Sequence, residues 1–288
     1  MIVEVLTRHL DESSAINRTS SITVSPWRAF LTAVGFLTRV PLGCRDVSPA
    51  MLERSVAFFP LVGSLIGAFT AAVIVAGSSI WPPVLCVVVA LAAEALLTGA
   101  FHEDALADFA DAFGGGWERE QTLRILKDPR HGTFGVMALL LGVSMRAAAI
   151  LAILSSDPGR PSVLDASVAL VASAAVGRWL IVFTMWRLPP VAGRDGLAND
   201  FGQPTAMRDV LLGGLFTLPG VAPLAWWMPI PCLIGLAALA VIVVWFQRLV
   251  SRRLGGVTGD CLGSICYIGQ VIVLLAAANG MGIEPGVG

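Results

Sequence analysis

The stretch VAFFPLVGSLIGAFTAAVIVAGSSI, residues 56–80, decides the fold. It contains no charged side chain, and about 20 apolar residues are enough for a helix to cross the hydrocarbon core of a bilayer. Just beyond it, Trp81, Pro82 and Pro83 break the chain before a second apolar run, Val84 to Phe101. The two runs read as a tight helical hairpin carrying one embedded acid, Glu94. Further out, Thr133 to Ser155, Val163 to Trp186, Val210 to Met228, Cys232 to Val250 and Leu262 to Met281 meet the same criterion. The expectation is an all-α polytopic integral membrane bundle of about six to seven transmembrane helices. Trp27 to Val40, with Arg28 and Arg39 near its ends, is amphipathic and reads as an interfacial helix rather than a span.

Composition agrees with this reading. Of 288 residues, 56% are hydrophobic and 14% charged, against about 25% charged in ordinary soluble domains, and mean hydropathy is +0.80. An aqueous monomer is excluded, because this much apolar surface exceeds what one interior can hide. The net charge of −1 leaves no broad basic field, so nucleic acid is not an expected partner. Cys44, Cys86, Cys232, Cys261 and Cys266 form no CxxC pair, which argues against a disulfide or zinc scaffold. Residues 1–25 lack the basic start, apolar stretch and cleavage site of a signal peptide and read as a polar cytoplasmic tail without a fold of its own. Residues 26–288 read as a single membrane-embedded domain.

Basic residues set the expected orientation, since positively charged short loops stay in the cytoplasm. With the 81–83 turn outside, sixteen of the nineteen Lys and Arg fall inside, Arg146 and Arg178 lie within spans, and Arg160 alone is outside. That arrangement puts the N-terminus and every polar, Gly-rich segment on the cytoplasmic face.

One of those segments is dense in acids: HEDALADFADAFGGGWEREQTLRILKDPRHGTFG, residues 102–135. Asp104, Asp108 and Asp111 stand at i, i+4 and i+7, within roughly 60° of one another on a helix. Like charges at that spacing repel, and a hard divalent cation, which takes carboxylate oxygens together with substrate phosphate and water, would reverse the sign. A solvated acidic face is the alternative. Glu103 and His102 point to other sides but can reach the site from the first turn, and a capping role for His102 is equally compatible. Gly114, Gly115 and Gly116 should end the helix in a turn, with positive φ accessible to them, or let backbone approach a phosphate. Lys127, Asp128, Arg130 and His131 then supply either phosphate contacts or anchoring charge.

Arg146 and Arg178 sit inside apolar spans, where a cation usually faces a polar cavity or a partner. Glu94 is a candidate partner for either, and Arg178 is close enough to a span end to snorkel. Two further Gly-rich, acid-bearing stretches, GRDGLANDFG at 193–202 and GGVTGDCLG at 255–263, offer Asp195, Asp200, Thr258 and Asp260, although turn chemistry alone also places Gly and Asp in such loops.

HEDALADFADAFGGG followed by LKDPRHGTFG resembles the central signature of the cobalamin synthase (adenosylcobinamide-GDP ribazoletransferase) family. FLTRVPL at 36–42, AFFPLVGSLIGA at 57–68, RDGLANDFG at 194–202 and GGVTGDCLG at 255–263 resemble its other segments in the same order. The resemblance implies a bacterial inner-membrane enzyme that uses Mg²⁺ to transfer the cobinamide-phosphate group of adenosylcobinamide-GDP to α-ribazole or its 5′-phosphate, releasing GMP. Carried onto this chain, its acidic signature falls on Glu103, Asp104, Asp108 and Asp111 as metal ligands, with Asp108 and Asp111 catalytic, and its basic one on Lys127, Asp128 and Arg130 as substrate contacts; beside it, the residues themselves offer His102 for catalysis and Arg146, Arg178, Asp195 and Asp260 for substrate contacts. A homo-oligomer is compatible with it. Ala105 stands where glycine is common, Cys261 where Thr is usual, and Tyr267 and Gln270 where acids are expected. A CDP-alcohol phosphotransferase is the first competing reading, but its DxxDGxxAR pattern is absent. The second is a cation or vitamin transporter, which should show broken spans in matching halves; no such repeat is evident.

Overall fold

A computed structural model describes residues 25–42, 47–155, 162–191 and 205–279, and all of their regular structure is helical. In chain order the α-helices are α1 (Pro26–Leu37), α2 (Pro49–Ser55), α3 (Phe59–Gly77), α4 (Pro83–Thr98), α5 (Phe101–Gly115), α6 (Arg119–Ile125), α7 (Thr133–Leu154), α8 (Ser162–Arg187), α9 (Met207–Trp227), α10 (Pro229–Leu254) and α11 (Gly259–Asn279). A short 3₁₀ turn, Val56–Phe58, joins α2 to α3. Among the described residues, six stretches are long and apolar enough to cross a membrane: α2–α3 together, α7, α8, α9, α10 and α11.

The expected seventh span is short and ends in a sharp bend: α4 and α5 meet the same criterion only as a bent pair. α4 has 16 residues, roughly 24 Å at 1.5 Å per residue, short of an apolar core about 30 Å thick. Gly99 (φ 74°) and Ala100 (φ 56°) then take the left-handed conformation, and α5 leaves at 88° to α4. We read α5 as lying outside the spanning segments, because its acids could not be accommodated in hydrocarbon. α1 forms as an amphipathic helix and turns Ala29, Thr32, Ala33 and Leu37 inward.

α8 is the central post, packed by α3, α9 and α11. Small residues permit this approach: a Cβ on Gly67 of α3 would lie 2.6 Å from the Leu170 carbonyl oxygen of α8, and one on Gly177 of α8 would lie 2.7 Å from that of Cys266 on α11. Helices in lipid, without a hydrophobic force between them, associate through such close contacts. α7, α9 and α10 form the periphery and expose large apolar side chains such as Leu140, Leu211, Leu233 and Val241, as a lipid-facing surface requires.

At one end of the bundle the polar segments are tied together. The Arg119 Nε donates to the Leu254 carbonyl (3.0 Å), and Arg253 donates to the Gly116 carbonyl. The Val257 amide donates to Pro189 (2.8 Å) and the Val191 amide to Val257 (3.1 Å), so the segments opening the two Gly-rich loops lie side by side.

Candidate active site

The site is built on α5 where it meets α11 and the loop before α7. Ser264 Oγ donates to the Ala105 carbonyl (2.8 Å), and Gly263 leaves room for the Ala105 methyl. This contact brings the α11 N-terminus, with Thr258 and Asp260, beside the acidic face of α5. Asp104 and Asp108 both open onto that space, with side chains 64% and 21% exposed. His131 faces both, its Nε2 at 3.8 Å from Asp104 and its Nδ1 at 3.7 Å from Asp108. One ligand atom from each of the three lies within 4.8 Å of the others. Partial burial, then the charges of Asp104 and Asp260, push the Asp108 carboxyl up to about 6, with His131 pulling the other way.

Asp111 does not join them as a third open ligand. Its Oδ2 accepts the Gly132 amide (2.6 Å) and its Oδ1 the Gly135 amide (2.8 Å), so the carboxylate caps the start of α7. It thereby fixes the loop that carries His131. The sequence supplied the right helical face, but the two glycines that claim this carboxylate lie more than twenty residues downstream. His131 was visible only as one member of a basic cluster, and no spacing rule links it to Asp104.

Glu103 is also off the acidic stripe. It is half-buried and adjoins a buried polar group of His102, Arg146 and Arg178. Arg146 Nη2 donates to both oxygens of Glu94 (2.9 and 3.0 Å), Thr70 donates to Glu94 (2.8 Å), and Arg146 Nη1 lies 3.6 Å from Glu103. One guanidinium therefore bridges α4 and α5 across the bend between them, and it stacks over Tyr267 with its carbon 5.4 Å from the ring centroid. Of the two arginines, Arg146 is the one that meets Glu94. Arg178 is fully buried in α8 rather than snorkelling, and reaches the Ala174 carbonyl at 3.4 Å. The side-chain nitrogens and oxygens His102 Nε2, Glu103 Oε2, Arg178 Nε and Gln270 Oε1 have no partner among the described residues.

Lys127, Asp128 and Arg130 lie on the loop ending at His131. Asp128 and Arg130 pair with each other at 2.7 Å on the surface instead of pointing at the acids. Gly114 and Gly115 belong to α5, and none of the three glycines takes positive φ. Gly114 is small because Phe134 packs on it, and Gly116 because Thr122 does. Asp195, Asp200, Cys44, Arg160 and the first 24 residues lie outside the described residues.

The family model described as Cobalamin-5-phosphate synthase matches residues 29–278. A protein of Rhizobium etli named adenosylcobinamide-GDP ribazoletransferase is 40% identical over 263 residues, covering 86% of this chain and 95% of the relative. A Sinorhizobium medicae protein of the same name is 40% identical over 270 residues (88% and 96%), and one of Ralstonia pickettii is 36% identical over 250 (86% and 94%). No solved structure matches the chain.

Proposed function

The chain belongs to the cobalamin-5-phosphate synthase family, and on that footing we propose that it catalyses the reaction its relatives are named for. A hydroxyl of α-ribazole, or of its 5′-phosphate, attacks the phosphorus on the cobinamide side of the adenosylcobinamide-GDP pyrophosphate, the new O–P bond forms, and GMP leaves. The observation that carries this reading is the convergence of Asp104, Asp108 and His131, from a helix and a distant loop, on one polar end of a membrane bundle.

Two carboxylates are the donor set that Mg²⁺ takes when substrate phosphate and water complete its shell. Partial burial, and then the charges of Asp104 and Asp260, raise Asp108, and a cation would offset both. The residues therefore fit Mg²⁺, with Asp104 and Asp108 holding it. When bound, Mg²⁺ supplies charge neutralisation on the pyrophosphate oxygens. His131 accepts the proton of the attacking hydroxyl at a ring nitrogen, and Asp111 keeps the His131 loop against α5. Lys127 and Arg130, exposed on the same loop, meet phosphate of the incoming nucleotide. The cluster of Glu94, Arg146 and Glu103 fixes the bend that presents Asp104. The charge asymmetry supports an inner-membrane location with this end cytoplasmic.

The direct test is purified protein in detergent with adenosylcobinamide-GDP, ribazole 5′-phosphate and Mg²⁺, with GMP release measured. GMP from the wild type, and at least a hundredfold less from Asp108→Asn of unchanged folding, is expected from loss of a charge-stabilising group worth roughly 3 kcal/mol. No GMP under conditions in which the Rhizobium etli relative produces it would overturn the reading.

A further inference from the structure

Along the end of α10 lies a groove of about 970 Å³ that contains none of the residues assigned to the reaction. Its walls are Ala240, Val241, Val244, Trp245 and Leu249 of α10, the arginines Arg248, Arg252 and Arg253 at that helix's end, and Trp117 after α5. Arg248 and Arg252 are exposed, and neither has a hydrogen-bond or ion-pair partner among the described residues. Arg253 is held, donating to the Gly116 carbonyl and lying over Phe113 at 5.8 Å. Trp117 is 80% exposed although it is the largest side chain on its loop.

We propose that this groove binds one anionic phospholipid, its headgroup phosphate on Arg248 and Arg252 and its upper acyl chain along Ala240, Val241 and Val244. Two features select the occupant. The groove changes character along its length: from Ala240 to Arg252 is roughly 18 Å of helix, apolar at one end and cationic at the other. A molecule filling it must itself be an anion with a hydrocarbon tail. The apolar end is also continuous with the lipid-facing side of α10, where Leu233, Leu236 and Val241 are exposed, so a lipid enters sideways from the bilayer, whereas a nucleotide would have to leave water. Trp117 and Trp245 flank the junction, the level at which indole rings settle in membranes.

The test is lipid retention by native mass spectrometry, after extraction from nanodiscs of phosphatidylcholine with phosphatidylglycerol. The wild type should keep one phosphatidylglycerol selectively. Arg248→Gln/Arg252→Gln should bind it roughly thirtyfold more weakly, two arginines contributing about fivefold each. Arg208→Gln, at an exposed cation outside the groove, should retain it like the wild type. Equal retention by the double variant, equal loss in Arg208→Gln, or displacement of the lipid by GDP would each overturn the proposal. The readout is binding, not turnover, so its failure leaves the transferase reading where it stands.

Discussion

Asp108 and Asp111 are three residues apart on one helix and do different work, because one carboxylate is left open and the other is occupied by backbone. Partial burial, then the charges of Asp104 and Asp260, push the Asp108 carboxyl up to about 6. As a carboxyl raised above its unfolded value, it weakens the metal-free fold as pH climbs through the window from about 4 to 6, and a bound cation removes that penalty. Mg²⁺ binding, followed with Mn²⁺ as a paramagnetic substitute, should therefore weaken about tenfold per unit below pH 6 and be flat above it; a profile unchanged in Asp108→Asn would count against the assignment. Asp111→Asn replaces one accepting oxygen with an amide that faces a backbone N–H. It should lower stability by about 1–3 kcal/mol, seen as a lower thermal midpoint, and slow turnover through the displaced His131 loop. A variant of wild-type stability would show that the cap is dispensable.

At the level of elements, the bend between α4 and α5 is held by a residue on neither helix. Arg146→Gln leaves the buried Glu94 charge without its cation, held by the Thr70 hydroxyl alone, and should destabilise by about 3–5 kcal/mol, while Glu94→Gln/Arg146→Gln recovers part of the loss; thermal unfolding of both variants in one detergent measures the difference. The α3–α8 contact makes a similar demand. Gly67→Val forces a side chain onto the Leu170 backbone and should lower stability by about 1–3 kcal/mol, more than the same change at Gly35, where nothing lies within 4 Å. The acidic helix itself was legible from its period, but its 88° departure from α4 was not. Gly99 marks a possible break, whereas Ala100 at φ 56° carries no such mark.

For the whole molecule, the asymmetry of Lys and Arg predicts that a cysteine placed at Trp117 is labelled from the cytoplasmic side and one at Ser79 from the opposite side, in inverted and right-side-out vesicles respectively. The reverse pattern would invert the topology. Hydropathy, helical period and the order of Gly-rich motifs were enough to identify a multi-pass helical bundle and its family, because each depends on residues close together in the chain and on the length of a bilayer. The site needed more. Which carboxylates stay open, that His131 completes the group and that Arg146 rather than Arg178 meets Glu94 all depend on contacts between segments that are remote in sequence. Such contacts are settled only when α5, α7 and α11 pack, since hydrogen bonds and ion pairs act over a few ångströms whatever the distance along the chain.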